Sequence, residues 1–143
     1  MRFSELVDTS RSIAQTRARS SKIAHLAECL RRMTPEEIPS GVALLSGSPR
    51  QGKVGVGPAA LSRARSAIAA RASGLELLEV DRAFGDIAAI AGRGAESRRA
   101  ERLGALLARA TREEQEFLLR VAIGELRQGA LEGLVADAIA AAF

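Results

Sequence analysis

The stretch Gly47-Ser48-Pro49-Arg50-Gln51-Gly52-Lys53-Val54 comes nearest, in residue type and spacing, to a phosphate-handling motif. It matches G-x-x-x-x-G-K, in which the amides of a glycine-rich loop cradle phosphates and the lysine reaches the outermost ones. It ends in Val54, where a Ser or Thr hydroxyl has to meet magnesium. The motif also requires a preceding strand and a parallel sheet. Neither is legible upstream, and Pro49 stiffens a loop that would have to wrap. Nucleotide binding is not expected here, and the segment reads as a flexible surface loop.

Three basic corners carry more weight together. Arg17, Arg19 and Lys22 lie in one, and Arg93, Arg98 and Arg99 in another. Arg127 lies in the third, flanked by Gly124 and Gly129. Each corner precedes or begins an expected helix. The first amides of a helix lack intrahelical partners and, with the macrodipole, favour anions. Arginine adds a two-pronged donor that fits phosphate. Gathered on one side of a bundle, such corners form a surface that reads backbone rather than bases. No aromatic residue lies in these connectors, so stacking on single strands is not expected and a duplex fits better. The competing reading is three unrelated solvated corners, and arrangement in space decides between the two.

Other chemistries are poorly served. His25 and Cys29 each occur once, which excludes a His/Cys zinc site and an intrachain disulfide. Cys29 lies in a helical pattern and is expected to be buried. Glu36, Glu37, Glu113 and Glu114 fall in expected first helical turns, where capping and the dipole explain them. No catalytic residue and no metal site is therefore assigned.

Composition bounds the rest. The 143 residues suit one domain, and 47% hydrophobic with 27% charged residues marks a folded chain. Aromatics are only 3%, so the core has to be Leu, Ala, Ile and Val. The net charge of +4 and the pI of about 10.5 permit a polyanionic partner without demanding one. No run of ~18 apolar residues and no signal-like start is present, so a cytoplasmic location away from membranes is expected.

Positioning the corners requires helices. Phe3, Leu6, Val7 and Ile13 follow helical spacing, and the first helix ends near Gln15. Ser20 or Ser21 is expected to cap the second, which carries Ile23, Leu26, Ala27 and Leu30 on one face. Thr34-Pro35-Glu36-Glu37 reads as a helix start. Val42–Leu45 forms a short apolar helix stopped at Gly47. Gly57-Pro58 opens another, with Leu61, Ala64, Arg65 and Ile68 at helical spacing. Between Gly47 and Gly74 stand five basic residues (Arg50, Lys53, Arg63, Arg65, Arg71) and no acidic one. An acidic helix over 75–91 buries Val80, Phe84, Ile87 and Ile90. Further helices carry Leu103, Leu106 and Leu107, then Phe117, Leu118 and Val121 behind a Thr111-Arg112-Glu113-Glu114 cap. A glycine-flanked turn bearing Arg127 leads into the last. The count is about eight helices and no convincing strand: an all-α, single multi-helix domain over residues 1–143. The two capped starts suggest a pseudo-two-fold arrangement.

These residues carry a resemblance. Phe3-Ser4-Glu5-Leu6-Val7, Ile13–Arg19, Leu44-Leu45-Ser46-Gly47, Gly52–Gly57 and above all Leu126-Arg127-Gln128-Gly129-Ala130-Leu131-Glu132 resemble the N-terminal DNA-binding domain of bacterial ATP-dependent DNA ligases. The family shows Leu-Arg-x-Gly followed usually by Leu-Ala-Glu; Ala-Leu-Glu here is a small departure. The resemblance implies an all-helical domain that clamps nicked duplex DNA across the minor groove, holding phosphates at helix-linking turns. Carried over by position, Arg19, Arg127, Gly124 and Gly129 are the foremost contacts. Ser97, Arg98 and Arg99 match a further contact region, and Arg17 and Lys22 flank the first. At Glu125 the family can carry a basic residue.

The same resemblance places adenylation at a Lys-x-Asp-Gly motif in a following domain. No such motif occurs here, so this chain should be inactive alone, with no cofactor of its own. ATP and magnesium are implied only for a full-length ligase. The expected partners are nicked duplex DNA and the remaining catalytic domains of the same ligase, with the chain a monomer. A helical protein–protein interaction module is the alternative.

Overall fold

The computed structural model describes residues 1–65, 67–125 and 129–143. Among them are eight helices: α1 (Phe3–Gln15), α2 (Arg19–Arg31), α3 (Ile38–Leu45), α4 (Pro58–Ala64), α5 (Leu77–Ala89), α6 (Ala95–Ala108), α7 (Arg112–Ile123) and α8 (Gly129–Ala142). The domain is all-α. The one β pairing among the described residues is an isolated antiparallel bridge between Arg2 and Glu76. There the Phe3 amide donates to the Leu75 carbonyl at 2.9 Å, and the Leu77 amide to the Met1 carbonyl at 3.0 Å. That bridge holds the starts of α1 and α5 side by side, although the two are far apart in sequence.

Aliphatic residues at helical spacing form one continuous core. Phe3, Leu6 and Val7 of α1, Leu26 and Leu30 of α2, Val80, Phe84 and Ile87 of α5, Leu103 and Leu107 of α6 and Leu118 and Val121 of α7 are all buried. Phe3 meets Phe117 edge-on, with ring centroids 5.7 Å apart and planes at 70°. Two of the four phenylalanines thus form the one aromatic contact that joins α1 to α7. α2 packs most extensively on α8, α4 lies along α6, and α5 also packs on α6. Each fully buried leucine contributes roughly 1.5–3 kcal/mol of burial free energy. Cys29 is buried, and burial pushes its thiol up from the usual range.

Several sequence expectations need correction. Neither Ser20 nor Ser21 caps α2; the helix starts at Arg19 with Ala18 in the capping position and no side-chain cap. Thr34–Glu37 builds only a turn, closed by the Thr34 amide donating to the Glu37 carboxylate at 2.9 Å. Helix α3 then begins at Ile38, because a proline at its second position has no amide to leave unpaired. The capped starts of the two proposed halves therefore differ: Thr111 does begin a helix, α7, where Thr34 does not. Ile68 is not on a buried face. α4 ends at Ala64, and Ile68 stands 89% exposed beyond it. Ile90 ends α5 as its capping residue rather than extending its core face.

The Gly47–Gly57 segment is not a loose surface loop. Val54 is buried in the core, and the two residues before Gly52 reach inward to α5. Arg50 donates Nε to Asp81 Oδ1 at 3.2 Å and a terminal nitrogen to Oδ2 at 2.9 Å. Gln51 donates Nε2 to the Asp81 carbonyl at 3.1 Å and to Oδ1 at 3.2 Å. Burial pushes the Asp81 carboxyl up, but hydrogen bonds from Arg50, Ser40 and Gln51 outweigh it and hold the group below the usual aspartate range.

Candidate nucleic-acid interface

Helix starts in this molecule fall into two kinds. Those of α1, α5 and α7 are closed by a glutamate three residues into the helix. Glu5 accepts from the Arg2 amide at 3.0 Å, Glu79 from the Glu76 amide at 3.1 Å, and Glu114 from the Thr111 amide at 2.9 Å. The starts of α2, α3, α4 and α6 carry no side-chain cap. Those of α3 and α4 have a proline in their first two positions, which removes one of the amides a cap would serve. At the other two, Ala18 precedes α2 and Gly94, at φ +74°, precedes α6. Alanine has no acceptor to offer, and the left-handed backbone at Gly94 favours a residue with no side chain at all. The starts of α2 and α6, uncapped and with no proline in the first turn, coincide with the first two basic corners.

At the start of α2, Arg17 and Lys22 make no ion pair or side-chain hydrogen bond with any described residue. Arg19 does. Its guanidinium donates to Asp137 Oδ2 on α8 at 2.6 Å, with the two side chains 60% and 55% exposed. Arg31, at the far end of α2, donates to the Ala141 carbonyl at 2.8 Å, so arginines tie both ends of α2 to α8.

At the start of α6, two adjacent arginines diverge by the helical turn angle. Arg98 donates to the Ala91 carbonyl at 2.7 Å and lines a depression with Asp86 and Arg102. Arg99 points the other way, donating to the Ile90 carbonyl at 2.5 Å and the Gly55 carbonyl at 3.3 Å. Both therefore brace the end of α5, and Arg99 also braces the 53–57 segment. Ser97 is exposed in the same first turn. A Cβ placed on Gly55, at φ +67°, would come 3.1 Å from an Arg99 nitrogen, so the glycine is what lets the guanidinium lie against the backbone.

Arg99 lines a groove of about 620 Å³ whose walls are Lys53 to Pro58, Leu61, Glu96, and Ala122 to Gly124. The structure thus brings together the second corner, the glycine-rich segment and the end of α7. Gly124 closes α7 at φ +74°, and α8 begins at Gly129. Arg127, foremost among the expected contacts, lies outside the described residues. Arg17, Arg19 and Lys22 lie on the α2–α8 side, and no described contact carries that corner into the groove. Sequence reasoning missed the bracing roles of Arg98 and Arg99, because carbonyl acceptors leave no trace in residue types. It also missed Asp137, which reads only as an exposed acid in an apolar helix.

Arg50 and Gln51 are committed to Asp81, and buried Val54 stands where a phosphate-binding loop needs a hydroxyl. No group of three or more His, Cys, Asp or Glu among the described residues could hold a metal ion. No helix among them is long and apolar enough to cross a membrane.

Comparison with known proteins bears on the whole chain. A probable DNA ligase of Anaeromyxobacter sp. (strain Fw109-5) is 48% identical over 143 residues, covering 99% of this chain and 28% of the relative. Probable DNA ligases of Nocardia farcinica (strain IFM 10152) and Saccharopolyspora erythraea are 48% and 50% identical over 142 and 140 residues, in each case 27% of the relative. The chain thus spans little more than a quarter of the length of these relatives. The family model described as DNA ligase N terminus matches residues 63–140, which runs from α4 through the groove-lining part of α6 to α8. The match covers more than half of an all-helical chain, and the chain belongs to the DNA ligase N-terminus family.

Proposed function

We infer that this chain is a sequence-independent duplex-DNA-binding domain that holds nicked DNA for an ATP-dependent ligase. The observation that carries the reading is the coincidence, at α2 and α6, of a basic corner with a helix start that has neither a side-chain cap nor a proline. Phosphate oxygens would accept from first-turn amides of α2 and α6, with Arg17, Arg19 and Lys22 at one and Ser97, Arg98 and Arg99 at the other. Gly124, Arg127 and Gly129 complete the set at the α7–α8 turn. Such contacts fix the register of a duplex and carry no base information, which suits an enzyme that must act on any nick.

Adenylation and sealing would belong to the parts of the relatives that this chain does not cover, since it has no Lys-x-Asp-Gly. The partners are then nicked duplex and those catalytic parts, with the chain itself monomeric. Titration of labelled duplexes of unrelated sequence, at several salt concentrations, tests the reading. Affinity should be similar across sequences and should fall with salt at a slope of roughly −0.9 per phosphate contacted. Arg127→Ala should weaken all duplexes alike. Binding confined to one sequence, or binding indifferent to salt, contradicts the proposal.

A further inference from the structure

We propose that Asp137 is an internal competitor for Arg19, an intramolecular stand-in for phosphate that sets how tightly the α2 corner holds a duplex. The inference rests on the function proposed above and adds a regulatory residue to it. Arg19 is the first residue of α2, at a helix start with no cap of its own. Its guanidinium nevertheless has an anion already: Asp137 of α8, next to buried Ala138, at 2.6 Å. The neighbouring cations Arg17 and Lys22 have no such partner among the described residues.

Most of the other acid–arginine pairs tie neighbouring helices or loops, as Asp86–Arg102 and Glu79–Arg109 join α5 to the α6 region. Arg19–Asp137 does this too, but α2 and α8 are already joined by their apolar faces and by Arg31 on Ala141. An exposed pair adds little stability to such a contact. Its consequence falls instead on binding. A carboxylate and a phosphate present the same chemistry to one guanidinium, and like charges cannot both crowd it cheaply. A duplex reaching this corner has to displace Asp137 or tolerate its charge. Because Arg19 is neutralised internally, engaging it also releases no counterion from solution.

The test compares Asp137→Asn, Arg19→Ala and the double variant with the unaltered chain, on one nicked duplex over a salt series. Asp137→Asn should bind about two- to fivefold tighter, the scale of an exposed ion pair. Its salt slope should steepen by about 0.9, as Arg19 becomes an ordinary phosphate contact with a solution counterion. Adding Arg19→Ala to Asp137→Asn should abolish both gains. Circular dichroism and thermal melts check that each variant is folded; Asp137→Ser replaces Asp137→Asn if the latter is not. Unchanged or weaker binding by a folded Asp137 variant overturns the proposal while leaving duplex binding intact. So does a gain that persists without Arg19, which would be general charge repulsion only. If the unaltered chain binds no duplex even at low salt, the proposed function fails and this inference with it.

Discussion

The starts of α5 and α2 are built from opposite materials. At α5, Glu79 turns back onto the Glu76 amide, and Arg109 donates to the same carboxylate at 2.8 Å, holding it below the usual range. The dipole and amides there are answered from within the chain. At α2 the preceding residue is alanine, no side chain returns, and the charged residues of that stretch of chain, Arg17, Arg19 and Lys22, are all cationic. Answering a helix start internally contributes stability, about 0.5–2 kcal/mol per cap. Leaving one open forgoes that and keeps an anion site available. The difference separates a start that serves the fold from one that, on the proposed function, is left for phosphate.

The comparison can be broken most severely at a closed start. Glu114 is 1% exposed and accepts from both the Thr111 amide and the Ser73 hydroxyl, at 2.9 and 3.2 Å. Glu114→Ala should cost about 2–4 kcal/mol, the sum of a lost cap and buried hydrogen bonds. Urea denaturation measures it, and duplex affinity of the folded fraction should be unchanged. A large loss of affinity by folded protein would mean that closed starts also serve the partner.

Next in size is the Asp81 staple. Asp81→Asn should cost about 1–2 kcal/mol, because the carboxylate charge and the Oδ2 acceptor for Arg50 are lost, an amide NH2 faces the guanidinium instead, and the 47–57 segment loosens. The same group gives a pH dependence. Its folded carboxyl titrates below its unfolded value, so its contribution is complete above about pH 4 and is lost as acid protonates it in the folded state. Denaturation at pH 3 and pH 6 should therefore differ less for Asp81→Asn than for the unaltered chain.

Closing an open start sharpens the contrast. Ala18 has extended backbone, φ −70° and ψ 126°, which an aspartate cap adopts without strain. Ala18→Asp should stabilise the fold by about 0.5–1 kcal/mol. It should also weaken duplex binding on the order of tenfold, by occupying the amides and adding a negative charge. A variant more stable and equally tight would sink the idea that this start is reserved for phosphate. The smallest effect is expected at Lys22. Lys22→Ala should flatten the salt slope by about 0.9, with little change in thermal stability.

Much of the fold was legible in the chain. The periods of Phe3, Leu6 and Val7 and of Val80, Phe84 and Ile87 marked buried faces that the structure confirms. Thr111-Arg112-Glu113-Glu114 marked a real cap because the hydrogen bonds that make it run within the motif. Thr34-Pro35-Glu36-Glu37 misled because the proline at position 39 suits a helix start at Ile38, so the bond from Thr34 to Glu37 closes only a turn. Ile68 misled because α4 stops after two turns, and spacing alone does not reveal an early end.

The site divides along the same line. Residue types placed cations beside helix starts, since charge and capping potential are properties of neighbours in the chain. Which arginines are already engaged was decided by distant acceptors: Arg19 by Asp137, Arg50 by Asp81, Arg98 and Arg99 by carbonyls at and beyond the end of α5. The sequence on its own determined the helices, their order and the basic corners, because hydrogen bonds and apolar periods within a helix are local. Only the tertiary structure decided which corners stay open, because a guanidinium reaches acceptors that the fold, not the chain, brings within 3 Å.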